Sequence, residues 1–311
     1  MIPVEDILKS ESQELIVRFF KDRRVDDVRV CGYSHPLLFA AREGLYQLAF
    51  VLVNNGADVD VCDMAGSTPL CHAVFRKNTA LAELLLRHGA DVDHSNWKGK
   101  SPLYLAILNN DPEMVELLLR YNANMNQIVN WWLGKCQVND VDGPLIFFAL
   151  DSRRSKAARA MLQSPKLDVT VRDSLDRTLL MRAMGSAIPV DVFELILRNP
   201  KTDVEALDMD HEFPLQTAVY RNQVDRVRLL LDRGANPFRS LGGISVFEFT
   251  CQQSSLSMVY EMVRSRPQQW VLHEKYTVES SKVRTTCFHP IAVVSVALVG
   301  AGLTLVQRFR E

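Results

Sequence analysis

The 311-residue chain has almost no net charge, no paired cysteines and no residue spacing that builds a catalytic or metal centre. Lysine and arginine number 36 against 37 acids, so no global field draws it to nucleic acid or to acidic substrates. Its densest basic run, Lys21 to Arg24, meets Asp26 and Asp27 at once and reads as a solvated surface. The six cysteines (Cys31, Cys62, Cys71, Cys136, Cys251 and Cys287) form no Cys-x-x-Cys pair, and the seven histidines add no metal-ligand spacing. Free thiols in a reducing compartment are expected. Early acids, Glu5 and Asp6, and the lack of an unbroken apolar run give no expectation of a secretory leader.

Motifs for chemistry are equally scarce. His211-Glu212 and His273-Glu274 begin like a zinc-protease helix but lack the second histidine four residues on. Asp208 and Asp210 have calcium-loop spacing without the required glycine and terminal glutamate. No Gly-rich phosphate loop opens a helix, and no Gly-x-Ser-x-Gly elbow occurs. Asp58, Asp60, Asp91 and Asp93 resemble paired carboxylates, yet they recur with a period and are read as turn residues. No enzyme, cofactor, metal or small-molecule substrate is expected.

What the chain does have is a period. "NNGADVDVCDMAGSTPLCHAV" from Asn54 and "RHGADVDHSNWKGKSPLYLAI" from Arg87 align without a gap at a distance of 33 residues. Pro36, Pro69 and Pro102 keep that spacing, as do Ala40, Ala73 and Ala106. Thr68 and Ser101 suit a helix N-cap, with proline in the first helical turn. A second helix follows, "LAELLLRHG" or "MVELLLRYN", ending at Gly or Asn, which tolerate a left-handed C-terminal position. Asn122 stands where the pattern of Gly56 and Gly89 asks for a third glycine.

"HPLLFA" (35–40), "TPLCHA" (68–73) and "SPLYLA" (101–106) resemble the Thr-Pro-Leu-His-x-Ala signature of ankyrin repeats. Leu38, Cys71 and Tyr104 replace the signature histidine, which puts its capping hydrogen bonds in question. Degenerate first helices follow at 143–150, 177–184, 213–220 and 244–251, making about seven repeats over residues 30–265. The resemblance implies an all-α solenoid of helix-turn-helix units with β-turn or hairpin tips.

Around the repeats, four segments stand apart. Residues 1–29 form an amphipathic helix with Leu15, Ile16, Phe19 and Phe20 on its apolar face, read as a cap for the first core layer. An insertion near 127–141 carries Trp131 and Trp132, either a binding loop or a cover for a core edge. Residues 266–284 form a linker. Thr285 to Val306 contains no acid, lysine or arginine, and as a helix its 22 residues span ~33 Å, enough for a ~30 Å hydrocarbon core. Lys282, Arg284, Arg308 and Arg310 flank it, and 307–311 is a short tail. The pattern resembles a tail anchor of the mitochondrial outer membrane or endoplasmic reticulum, with the repeats facing the cytosol. A buried terminal helix in a soluble protein is the other reading.

The functional expectation is a non-enzymatic scaffold that binds one or more proteins. By resemblance, partners meet the turn tips (Met64, Ala65 and Ser67; Trp97, Lys98 and Lys100) and the adjoining helix positions Phe75, Arg76, Leu108 and Asn109. Trp97 is the strongest single expectation, as an aromatic among polar neighbours. His94 is expected as an exposed turn residue. A ubiquitin-ligase substrate adaptor is the rival, but residues 266–311 show no recruiting-box pattern.

Overall fold

A computed structural model describes residues 35–129, 143–151, 154–185, 188–241, 244–252 and 256–265. The expected N-terminal helix (1–29), Trp131 and Trp132, the linker and the apolar segment 285–306 lie outside them. The chain divides into two compact units between Asp168 and Val169.

Among the described residues of the first unit four helix pairs follow one another: α1 (Pro36–Glu43) with α2 (Tyr46–Asn54), α3 (Pro69–Phe75) with α4 (Thr79–Arg87), α5 (Pro102–Leu108) with α6 (Pro112–Arg120), and α7 (Leu145–Asp151) with α8 (Ser155–Leu162). These helices are too short to be stable alone, so burial of one face must hold them. Ala40, Ala73 and Ala106 are wholly buried, and Leu37, Leu70 and Leu103 fill the same layer. Only a small residue at the alanine positions lets neighbouring helices approach closely.

The missing signature histidine is replaced by simpler capping. The Thr68 hydroxyl accepts from the Cys71 N–H at 3.4 Å and donates to the Cys71 sulfur at 3.5 Å. Ser101 accepts from the Tyr104 N–H at 3.3 Å, while the Tyr104 ring stacks on Phe148 with centroids 4.9 Å apart. Asn78 and Asp111 cap the second helices α4 and α6 through Leu81 N–H and Met114 N–H. Asn122 adopts φ +66, doing the work of Gly56 at +81 and Gly89 at +87.

The insertion enters and leaves through a two-stranded antiparallel ladder, β1 (Ile128–Val129) with β2 (Gly143–Pro144), pairing Ile128 with Pro144 and Val129 with Gly143. Residues 130–142 therefore connect two strands that are already in register.

Among the described residues the second unit holds three more pairs: α9 (Leu179–Arg182) with α10 (Val190–Arg198), α11 (Pro214–Tyr220) with α12 (Val224–Asp232), and α13 (Val246–Gln252) with α14 (Leu256–Ser265). A second short ladder, β3 (Ser240–Leu241) with β4 (Ile244–Ser245), precedes α13. Ser245 and Glu248 form a capping box: the Glu248 carboxylate accepts from the Ser245 N–H at 2.8 Å, and the Ser245 hydroxyl accepts from the Glu248 N–H at 3.2 Å. The α9 helix is the shortest, at four residues, and the carbonyls beyond it need outside donors. Buried Arg226 supplies them, donating to Met184 at 2.9 Å, Gly185 at 3.1 Å and Ile188 at 2.6 Å. Among the described residues no helix is long and apolar enough to cross a membrane.

Candidate functional site

Four turn tips among the described residues are each organised by one acceptor side chain. The Asp63 carboxylate accepts from Ala65 N–H and Ser67 N–H, both at 2.8 Å. Asn96 does the same for Lys98 and Lys100 one repeat later, at 3.0 and 3.1 Å. Asp173 and Asp208 repeat the arrangement in the second unit, each binding two N–H groups of its own tip. The fourth tip residue is left-handed every time: Gly66, Gly99, Asp176 and His211. Asp208 and Asp210 thus belong to a turn, and Asp208 is its hub.

The periodic carboxylates are likewise occupied. Asp58 accepts from Asp60 N–H, Asp60 from Asp91 N–H, Asp91 from Asp93 N–H and Asp93 from Asn124 N–H, at 2.9–3.0 Å. Within the second unit Glu205 accepts from Asn236 N–H and Asn236 from Phe238 N–H in the same way. These groups satisfy backbone donors along the stack.

Adjacent tips are tied together in the first unit. Trp97 N–H donates to the Ala65 carbonyl at 3.1 Å, and the indole lies over Gly66. A Cβ on Gly66 would stand 2.9 Å from the indole Cδ2 and Cε2, so the glycine makes room for the ring as well as adopting φ +74. Trp97 nevertheless stays 74% exposed, Phe75 is 64% exposed and Met64 fully so.

Between the tips and the inner helix ends lies a groove of about 820 Å³. Arg42, Phe75, Arg76 and Leu105 line it from the helices, and Ala65, Ser67, Lys98 and Lys100 from the tips. Six of the expected residues are therefore brought together there: Ala65, Ser67, Phe75, Arg76, Lys98 and Lys100. Met64 and Trp97 stand on the same tips, outside the lining. Leu108 is half-buried, with its carbonyl accepting from Arg154 at 3.1 Å. The Asn109 amide is committed to the end of α3, donating to the Val74 and Phe75 carbonyls at 3.1 and 3.2 Å.

His72, Asn78 and Arg42 also line the groove, and none was expected. The signal was present: Arg42 lies 33 residues before Phe75, at the same place in its repeat. His72 bonds the Asp63 carboxylate at 2.9 Å. Partial burial of Asp63 opposes its ionisation, but bonds from Ser67, Ala65 and His72 outweigh it and hold its pKa below the ordinary carboxylate value.

His94 departs from expectation. It is half-buried, with Nε2 3.2 Å from the Gly66 carbonyl and 3.4 Å from the Cys62 sulfur, because its ring fills the space under the neighbouring tip. Partial burial, then Asp63, Asp60 and Asp58, push the Cys62 thiol up, so the reactive thiolate is disfavoured. Burial pushes Cys71 up as well. Among the described residues no cluster of three metal-ligating side chains occurs.

The comparisons agree with this architecture. Residues 37–129 match the model for ankyrin repeats in three copies, and residues 210–240 match that for a single ankyrin repeat. The crystal structure of the human ASB11 ankyrin repeat domain is similar at 22% identity and TM-score 0.51, covering 74% of this chain and 97% of that one. The crystal structure of EF0377, an ankyrin repeat protein, is similar at 20% identity and TM-score 0.50, covering 62% of this chain and 95% of that one. Among curated proteins, none matches this sequence.

Proposed function

We propose that this chain, which carries ankyrin repeats, is a non-enzymatic scaffold that binds a protein partner in the groove between residues 42 and 105. The observation that carries this reading is the exposure of Phe75 beside an open groove, with Trp97 and Met64 exposed on the adjoining tips. Large apolar side chains set among polar neighbours are the usual anchors of protein interfaces. The periodic carboxylates that resemble a catalytic pair are instead engaged by backbone donors along the turns.

The test is binding by the full-length chain before and after Phe75→Ala and Trp97→Ala. Each is expected to weaken a specific partner by about 2 kcal/mol while the circular-dichroism spectrum is kept. Retained binding by both variants would move the site elsewhere. Loss of helical signal in Trp97→Ala would assign the indole to packing.

The second part of the proposal is that Thr285 to Val306 tethers the scaffold to a membrane, the mitochondrial outer membrane or endoplasmic reticulum. Its support is the charge-free length of 22 residues between basic flanks. Deleting residues 285–311 is expected to shift the protein from the carbonate-resistant pellet to the supernatant. Unchanged fractionation contradicts the anchor and favours a buried terminal helix.

A further inference from the structure

The turn tip at 208–212 and helix α11 repeat the frame of the tip at 63–67 and helix α3, 145 residues further on. Asp208 stands for Asp63 as the hub, and His211 and Asn222 take the positive φ of Gly66 and Lys77. Gln223 N–H closes on the Ala218 carbonyl as Asn78 N–H does on Ala73. Met209 N–H donates to the Leu175 carbonyl at 3.3 Å, just as Trp97 N–H donates to Ala65. Residues at matching positions therefore have matching places. Ala65, Ser67 and Phe75 line the concave side of the first unit, and their counterparts in the second are Asp210, Glu212 and Tyr220. Leu105, four residues after the capping Ser101, is matched by Phe249, four after the capping Ser245.

The same concave positions thus carry a different chemistry. Tyr220 is 78% exposed and stands nearly parallel to the half-buried ring of Phe249, at 19° with centroids 6.4 Å apart. Asp210 and Glu212 are exposed and hold the tip through backbone atoms alone; among the described residues their carboxylates form no ion pair. The neighbouring cations are directed elsewhere. Arg177 bonds Asp173 at 2.9 Å and Arg239 bonds Glu205 at 2.7 Å. Arg221 reaches back to the Met184 carbonyl beyond α9, whereas Tyr220 turns its ring to Phe249 on α13.

From this juxtaposition we infer that the concave side of the second unit takes a basic segment of a partner protein, an arginine or lysine lying on the Tyr220 ring with its charge met by Asp210 and Glu212. Exposed aromatic faces attract cations, and two carboxylates at the rim add a counter-charge. A phosphate backbone would be repelled by both carboxylates. A purely apolar segment would desolvate them without a partner. None of these residues belongs to the groove of the first unit, so the two surfaces are tested separately.

A displayed random library of peptides about twelve residues long is selected against the full-length chain in detergent micelles. Enriched peptides are titrated by fluorescence anisotropy at about 50 and about 300 mM salt. Peptides carrying Arg or Lys beside an apolar residue are expected, binding more weakly at the higher salt. Their binding should fall about tenfold or more in Asp210→Lys/Glu212→Lys and by less in Asp210→Asn/Glu212→Gln, with helical content unchanged in both. Tyr220→Ala should weaken them about fivefold, while Tyr220→Phe and Phe75→Ala leave them as they are. Basic peptides indifferent to the changes at 210, 212 and 220 would overturn the site, as would no enrichment at all. Peptides lost in Phe75→Ala alone would support the groove of the first unit and overturn this second surface. Full binding in Tyr220→Ala beside a loss in Asp210→Asn/Glu212→Gln would overturn the aromatic seat.

Discussion

Gly66→Ala, set beside Gly99→Ala, isolates the contact that holds Trp97 at the groove's edge. Both glycines occupy the fourth position of a tip with similar left-handed φ, +74 and +67. Alanine at either site costs about 1 kcal/mol for that conformation. At Gly99 nothing lies within 4 Å of the added methyl, so the cost stops there. At Gly66 the methyl would sit 2.9 Å from two indole carbons and 3.0 Å from the Trp97 backbone nitrogen. The ring can swing out, but the nitrogen cannot withdraw without breaking its 3.1 Å bond to Ala65. That hydrogen bond adds about 1 kcal/mol, so Gly66→Ala should cost about 2 kcal/mol against about 1 for Gly99→Ala. The assay is urea denaturation of the two variants, with Trp97 fluorescence read in a background where Trp131, Trp132 and Trp270 are phenylalanine. A red-shifted Trp97 emission is expected in Gly66→Ala alone. Equal losses and identical spectra would refute the placement of the indole over Gly66.

Two further predictions concern the rest of the stack. Arg226→Leu keeps the volume roughly but strips the side-chain donor from Gly185 and Ile188, leaving Met184 to Arg221 and Gln223, and should cost about 3 kcal/mol in denaturation of the second unit; a loss below about 1 kcal/mol would show that water replaces it. Asp63→Asn should leave the tip folded at pH 7, because Asn96 already performs that role one repeat later. The sign for Asp63 follows from its depressed folded pKa: its contribution is present above the unfolded value of about 4 and lost as pH falls through the folded one. Wild type should therefore lose more stability than Asp63→Asn between pH 5 and about 2, and parallel curves would contradict the tip geometry.

The repeat was legible because helix capping and close packing constrain residue type at fixed offsets. Pro69, Ala73 and Gly89 each have one physical job, and each recurs 33 residues later or earlier. The tip hubs were harder to read. Asp63, Asn96, Asp173 and Asp208 share an acceptor oxygen but not a residue type, and their partners are backbone N–H groups that leave no mark on the sequence. Arg226 was invisible for a similar reason, since it answers carbonyls exposed by the shortness of α9, some forty residues earlier in the chain. Half-buried His94 looked like a turn residue because its contacts, Gly66 and Cys62, belong to the preceding repeat. Arg42 could have been placed by carrying the Phe75 offset back one period.

Site-specific photo-crosslinking tests the central claim most directly. A photoreactive residue is placed in the full-length chain at Phe75, at Trp97 or at exposed Arg87 on α4, and each protein is irradiated in cells. One shared adduct is expected from positions 75 and 97, abolished by Arg76→Glu/Lys98→Glu, and none of it from position 87. The same adduct from position 87, or its survival in the charge-reversed chain, would contradict the assignment of the groove as the partner site.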